Sequence, residues 1–219
     1  MRTIELGGQS LTLLPEKAVF LPESNTLLVA DAHIGKAMSF RRLGVPVPSG
    51  TTAETLAGLS RLVRRLGVRR IVFLGDLLHS AQARAESTLT ELLRWRDAHA
   101  ALELMLVRGN HDLRAGDPPA ALGIDCRDEP HRLGGLALCH HPRALPQSYV
   151  LAGHLHPCAS LGGRANDRLR LPCFWIGPRV GVLPAFGAFT GMHRIVAARG
   201  DRVFVVADGN LCELPGVDA

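Results

Sequence analysis

The sequence predicts an α/β fold, either one mixed sheet or two stacked sheets with helices outside. Short, continuously apolar runs recur up to residue 152, amphipathic helical segments separate some of them, and after residue 157 strand-like pieces alternate with Gly and Pro. The runs are residues 27–30, 71–74, 104–107, 136–139 and 149–152. They are apolar at every position rather than every second one, which suits strands buried on both faces. After the first run, Thr51-Thr52-Ala53-Glu54 reads as a capping box in which Thr51 and Glu54 satisfy orphan amides reciprocally. Leu56, Leu59, Val63 and Leu66 follow at helical spacing, and Gly67 can close the helix in a left-handed conformation. A second helix is expected over about residues 87–98, burying Leu89, Leu92 and Leu93. The later strands are expected at 168–176, 180–183, 193–198 and 202–207. With 4–6 and 11–14 they form a more antiparallel flank. There is no internal repeat, and the Pro/Gly-rich segments are too short to be linkers, so residues 1–219 are expected to form a single domain.

Composition narrows the class. A hydrophobic share of 47% supports a packed core and argues against disorder. No apolar run approaches the roughly 20 residues of a membrane helix, and Met1-Arg2-Thr3-Ile4-Glu5 has no apolar signal core behind it, so a soluble, cytoplasmic protein without a membrane partner is expected. The five scattered cysteines argue against a disulfide framework or a zinc ribbon and read as reduced, packed thiols. The formal charge is +5, with 23 arginines against two lysines, Lys17 and Lys36. Arginine forks match phosphate oxygens, yet coding bias gives the same excess, and composition does not choose between them.

The chemistry follows the strands. The first run leads into Asp31-Ala32-His33, the second into Gly75-Asp76-Leu77-Leu78-His79, and the third through Arg108 into Gly109-Asn110-His111-Asp112. The fourth ends in His140-His141 and the fifth in Gly153-His154-Leu155-His156. Ligands bind at the carboxyl ends of strands in open α/β sheets. Each motif alone has a bland reading as a turn or a surface histidine; five in succession point to a site. Asp, Asn and His offer oxygen and neutral imidazole nitrogen, a set suited to Mn²⁺, Fe²⁺, Ni²⁺ or Zn²⁺, with room for two ions. In a strand, the two-residue spacing of Asp31-x-His33 and His154-x-His156 would turn both side chains of each pair to one side.

These motifs, in this order, resemble the calcineurin-like metallophosphoesterase superfamily. Residues 29–37, Arg41-Arg42, 44–48, 171–175 and 183–191 are similar to one branch, the bacterial ligase-associated DNA damage response phosphoesterases. The resemblance implies a sandwich of two mixed β-sheets flanked by helices, αββα, with two divalent ions, Mn²⁺ foremost. Asp31, His33 and His156 would hold one ion, Asn110, His140 and His154 the other, and Asp76 would bridge them. His141 competes with His140, which is preferred because it directly follows its strand. A water between two ions is acidic enough to lose a proton near neutral pH, and the resulting hydroxide would attack phosphorus in line. His111 would protonate the leaving group, with Asp112 or another nearby carboxylate orienting its ring. His79 stands where many relatives carry Asp and would hydrogen-bond a ligand or a water.

The segment after Gly75-Asp76 departs from the protein-phosphatase pattern of the superfamily and looks more like its nucleases. The resulting expectation is a phosphodiesterase or nuclease acting on DNA, and the ligase-associated resemblance implies a repair setting. A DNA ligase, a helicase and an exonuclease would be its pathway partners. Lys36, Arg41 and Arg42, close after the first motif, are the expected substrate contacts. Arg61, Arg64 and Arg65 share one helical face and could track a nucleic-acid backbone or simply be solvated. A phosphomonoesterase, a cyclic-nucleotide phosphodiesterase and a non-catalytic scaffold are the rival readings.

Overall fold

The computed structural model describes residues 1–42, 44–47, 50–162 and 168–216, without the side chains of Arg42 and Gln82. Two mixed sheets stack face to face. The first comprises β1 (Arg2–Leu6), β2 (Gln9–Leu14), β3 (Ala18–Leu21), β4 (Thr26–Val29), β5 (Arg70–Leu74), β6 (Glu103–Val107) and β7 (Ile124–Arg127), arranged in that order. β1 to β4 form an antiparallel meander, and β4 to β7 run parallel. Four α-helices belong to this half: α1 (Lys36–Arg42), α2 (Thr51–Leu66), α3 (Glu86–Ala98) and α4 (Asn110–Ala115).

Burial on both faces explains the continuous apolar runs. Leu27, Val29, Ile71, Phe73, Leu104 and Leu106 face outward into a core with Leu56, Leu59 and Leu62 of α2 and Leu92 and Trp95 of α3. The alternate residues, Leu28, Val72, Leu74 and Val107, face inward and meet Leu138, Leu151, Phe174 and Phe204 of the second sheet.

The second sheet comprises β8 (His131–Leu133), β9 (Leu136–Leu138), β10 (Tyr149–Ala152), β11 (Pro157–Gly162), β12 (Arg168–Ile176), β13 (Val180–Val182), β14 (His193–Arg194), β15 (Arg202–Ala207) and β16 (Asn210–Glu213). Its order is β14-β11-β12-β13-β10-β9-β8, with β15 and β16 added on β12. β9, β10 and β13 are parallel neighbours, whereas β12, β13, β15 and β16 pair antiparallel.

Several local expectations change. The cap of α2 is Gly50, in left-handed conformation with no side-chain cap bond, so Thr51 opens the helix and no Thr51–Glu54 capping box forms. Gly67 closes α2 at φ 62° as expected, and Leu62 is buried where Val63 and Leu66 are only partly so. In α3, Leu92 is joined by Trp95 and Thr88, while Leu89 and Leu93 are partly buried. The N-terminal strands extend the first sheet rather than joining the C-terminal strands in one flank. The strand expected over 193–198 ends at Arg194. Among the described residues no α-helix follows Ala115, so the helices accompany the first sheet. β9 and β10 are parallel yet joined by residues 139–148, a connection holding Pro142 and Pro146 that leaves no room for a crossover helix.

Candidate metal centre

The parallel strands of both sheets deliver their carboxyl ends to one edge. β4 leads to Asp31 and His33, β5 to Asp76, and β6 to Asn110 at the start of α4. β9 leads to His140, and β10 to His154 and His156. The loops are tied together through the backbone. Asp31 donates to the Gly75 carbonyl at 3.3 Å and His33 to that of Asp76 at 2.9 Å, while the His154 N–H reaches across the sheets to Asp31 Oδ2 at 2.8 Å.

The two-residue spacings do not act within strands. Asp31, His33, Asp76, His154 and His156 all have positive φ, between 44° and 70°. The chain therefore leaves each strand through a left-handed turn, a conformation costing about 1–3 kcal/mol per residue that tertiary contacts must hold in place. Glycines make the crowding possible. A Cβ on Gly75 would fall on the His140 ring, and one on Gly109 would fall on the Asp76 carboxylate.

Around Asp76 the side chains form two groups. In one, His33 Nε2 and His156 Nε2 are 3.1 Å apart, with Asp31 Oδ1 3.5 Å from His156 Nε2 and Asp76 Oδ2 3.9 Å from His33 Nε2. In the other, His140 Nε2 lies 2.9 Å from Asn110 Oδ1, 3.0 Å from His154 Nδ1 and 3.5 Å from Asp76 Oδ1. Each oxygen of Asp76 thus faces one group. Nδ1 of His140 sits 3.1 Å from the Leu74 carbonyl and Nδ1 of His156 3.2 Å from that of Gly191. Donation there leaves both Nε2 lone pairs directed inward.

This arrangement fits a cation. Asp31 and Asp76 are buried, and Asp31 Oδ1 has no hydrogen-bond partner among the described residues. Among the described residues, the basic side chains within 4 Å of the two carboxylates are His33, His111, His140 and His156. Burial, reinforced by neighbouring imidazoles and Lys36, holds His33 down to about 2, and burial lowers His140 and His154 as well. These shifts favour the neutral forms of His33, His140 and His154, so those rings do not offset the buried negative charge, a costly state that added positive charge relieves. Burial and the adjacent Asp31 push Asp76 up. His/Asp groupings able to hold a metal include Asp31–His33–His156, Asp31–Asp76–His140 and His140–His141–His154.

The surrounding residues divide. The His111 ring stacks on His79 with centroids 4.8 Å apart, its Nε2 lies 3.9 Å from Asp76 Oδ2, and its backbone N–H donates to Asp76 Oδ1 at 2.9 Å. Asp112 does not orient that ring. Its carboxylate instead accepts the backbone N–H groups of Asp76, Leu77, Leu78 and Gly109 at 2.6–3.3 Å, and the His111 Nδ1 rests on the His79 carbonyl. Burial, with the neighbouring Asp76 charge, pushes Asp112 up to about 6 against the N–H groups of Gly109, Leu78 and Asp76. His79 Nδ1 lies 3.5 Å from His33 Nδ1, and burial with neighbouring His111 and Lys36 lowers His79 to about 4. His141 turns to Glu129 at 3.1 Å. The Glu129 carboxylate also accepts the N–H groups of His140 and His141, a support that no motif in the sequence announces.

Lys36 feels Asp31 and Asp76 and lies about 6 Å from the rings of Phe40 and Phe189. Arg41 donates to the Val47 carbonyl at 3.4 Å. Arg42 ends α1, and its side chain lies outside what is described. The arginines of α2 do not gather at the site. Thr51, Thr52 and Thr55, at the N-terminal end of α2, line a small cavity with His33 and Lys36. Arg61 sits six residues beyond Thr55, about 9 Å further along the axis. Arg65 pairs with Glu16, and Arg70 with Glu103.

One solved structure, a nuclease MPE from Pseudomonas putida, is 45% identical to the chain, covers 97% of it and 99% of its own length, and superposes with a TM-score of 0.87. A phosphoesterase from E. coli, Yfce, is 12% identical over 86% of the chain and 97% of its own length with a TM-score of 0.43, too distant to bear on fold or function. No protein-family model matches the chain, and no curated protein does either.

Proposed function

The chain belongs to the metallophosphoesterase family, and on that footing we propose that it is a metal-dependent phosphodiesterase that cleaves nucleic acid. The observation that carries the reading is the double facing of Asp76, one carboxylate oxygen toward each group of donors, beside the unpartnered Asp31 Oδ1. Asp31, His33 and His156 would hold one divalent ion and Asn110, His140 and His154 the other, with Asp76 between. His140 takes the place over His141 because its ring is wholly buried among Asn110, His154 and Asp76. When bound, such ions supply Lewis acidity toward a phosphoryl group and make water a stronger acid.

The chain's own groups have distinct tasks. Nδ1–H of His111, donated to the His79 carbonyl, leaves Nε2, 3.9 Å from Asp76 Oδ2, as the atom that exchanges a proton with the leaving oxygen. His79 stacks on His111 and fixes its plane. Lys36, close to both carboxylates and half-buried, would steady the substrate's phosphate. Arg41 and Arg42, at the end of α1, would contact the chain beyond it. The nuclease likeness supports a nucleic-acid diester, and the ligase-associated resemblance supports DNA, Mn²⁺, endonucleolytic action and a repair setting with a DNA ligase, a helicase and an exonuclease.

The test compares turnover of bis-p-nitrophenyl phosphate with p-nitrophenyl phosphate in Mn²⁺, Ni²⁺ and Zn²⁺, followed by labelled single-stranded, duplex and 3′-blocked DNA. Asp76→Ala serves as the control for contaminating nuclease. Diester preference and DNA cleavage that vanish in Asp76→Ala are expected. Monoester preference, or retained turnover in that variant, overturns the proposal.

A further inference from the structure

The two lysines of this arginine-rich chain flank the candidate centre. Lys36 stands on the His33 side, in the small cavity with Thr51, Thr55 and Phe189. Lys17 stands on the His156 side, in a separate cavity of about 180 Å³ bounded by His156, Gly187, Ala188, Thr190 and Gly191. A single strip of chain separates them. It is pinned to the ligand loop by Phe186 N–H on the Ala30 carbonyl at 2.9 Å and Gly187 N–H on the Asp31 carbonyl at 3.2 Å.

Lys17 is held in place. It closes the turn between β2 and β3 at φ 64°, with its N–H on the Leu14 carbonyl at 3.0 Å, and the neighbouring Glu16 is tied to Arg65 of α2. The ammonium reaches the Gly187 carbonyl only at 3.4 Å, a long hydrogen bond. No Asp or Glu lies within ion-pair distance of it among the described residues. Burial lowers its pKa, against a pull from Glu54. An ammonium poorly solvated by water and weakly paired by protein is a ready partner for an anion, and lysine serves as a compact point charge for phosphate.

We propose that this cavity is a second phosphate subsite, in which Lys17 binds the phosphate next to the scissile one along the substrate chain. The inference rests on the nucleic-acid reading above. His156 links the two places. Its Nε2 faces the first group of donors and its ring lines the Lys17 cavity, so a diester chain held at the centre continues past His156 to Lys17. The subsite would distinguish a polymer, which offers a neighbouring phosphate, from a simple diester, which does not.

The experiment uses Lys17→Gln, which keeps length without charge, and Lys17→Gly, which removes the side chain and relieves the left-handed turn. In Mn²⁺, turnover of bis-p-nitrophenyl phosphate is measured with two inhibitors, thymidine 5′-monophosphate and the 5′-phosphorylated thymidine dinucleotide. The wild type is expected to bind the dinucleotide about tenfold more tightly, an advantage both variants lose, with kcat and KM for bis-p-nitrophenyl phosphate within twofold of wild type. The salt slope of dinucleotide affinity should become shallower by about 0.7, the share of one single-strand phosphate contact. A wild type without dinucleotide advantage, or variants that keep it, overturns the subsite. Equal loss of bis-p-nitrophenyl phosphate turnover in both variants also overturns it, because Lys17 would then be structural. Failure of the wild type to cleave any oligonucleotide refutes the nucleic-acid reading instead, while the dinucleotide comparison still decides the subsite.

Discussion

At the residue scale, Asp112 and His111 are neighbours with opposite duties. Asp112 is buried and gathers four backbone N–H groups from the Asp76 loop and the start of α4. Removing the carboxylate leaves those donors unpaired, so Asp112→Ala should cost about 3 kcal/mol and lower Tm by about 6–12 °C. Metal content should fall with it, since the loop that shapes Asp76 loosens; thermal melts and metal analysis of the same samples check both. His111 is partly exposed, so His111→Ala should keep Tm and metal while slowing cleavage, most for esters with poor leaving groups. An Asp112→Ala protein with wild-type Tm and only a slower rate would return Asp112 to the ring-orienting role the sequence first suggests.

At the element scale, the junctions rather than the strands carry the site. Gly109 joins β6 to α4 where an added methyl would collide with the Asp76 carboxylate and crowd the His140 ring. Gly109→Ala should therefore abolish Mn²⁺-dependent turnover of bis-p-nitrophenyl phosphate and lower Tm, whereas Gly162→Ala, whose added Cβ meets no atom of the described residues within 4 Å, should change neither. The same junctions show what the sequence makes legible. Continuous apolar runs predicted β4, β5, β6, β9 and β10, because both faces of those strands are buried and period alone announces it. The donor residues were visible because each follows such a run. Their left-handed turns were not, since Asp and His adopt positive φ only when distant contacts enforce it. The cap of α2 was misplaced for a related reason. Thr51 and Glu54 satisfy the capping pattern, but the helix begins one residue after a left-handed Gly50. Glu129 and Lys17 were invisible as site residues because only the packing of separate segments brings them there.

At the scale of the whole molecule, the candidate centre is a joint between two sheets. Asp31, His33, Asp76 and Asn110 come from the first and His140, His154 and His156 from the second. Beneath them, Phe174 and Phe204 pack against Leu28, Val72 and Leu74. A cation held by donors from both sides would tie the sheets together, and it would bind the folded chain and not the unfolded one. Mn²⁺ at about a hundred times its dissociation constant should then add about 2.7 kcal/mol, raising Tm by about 5–11 °C for a chain of this size. Asp76→Asn isolates the cause. It keeps the shape and the acceptor for His111 N–H but removes a buried charge, so the metal-free variant should melt at or above the wild-type temperature. The Mn²⁺-induced rise should nearly vanish in that variant. The check is a set of melts of wild type and Asp76→Asn, each stripped with chelator and then titrated with Mn²⁺. An equal rise in both proteins would place the stabilising ion away from Asp76, and no rise in the wild type would mean that these donors do not close around a metal at all.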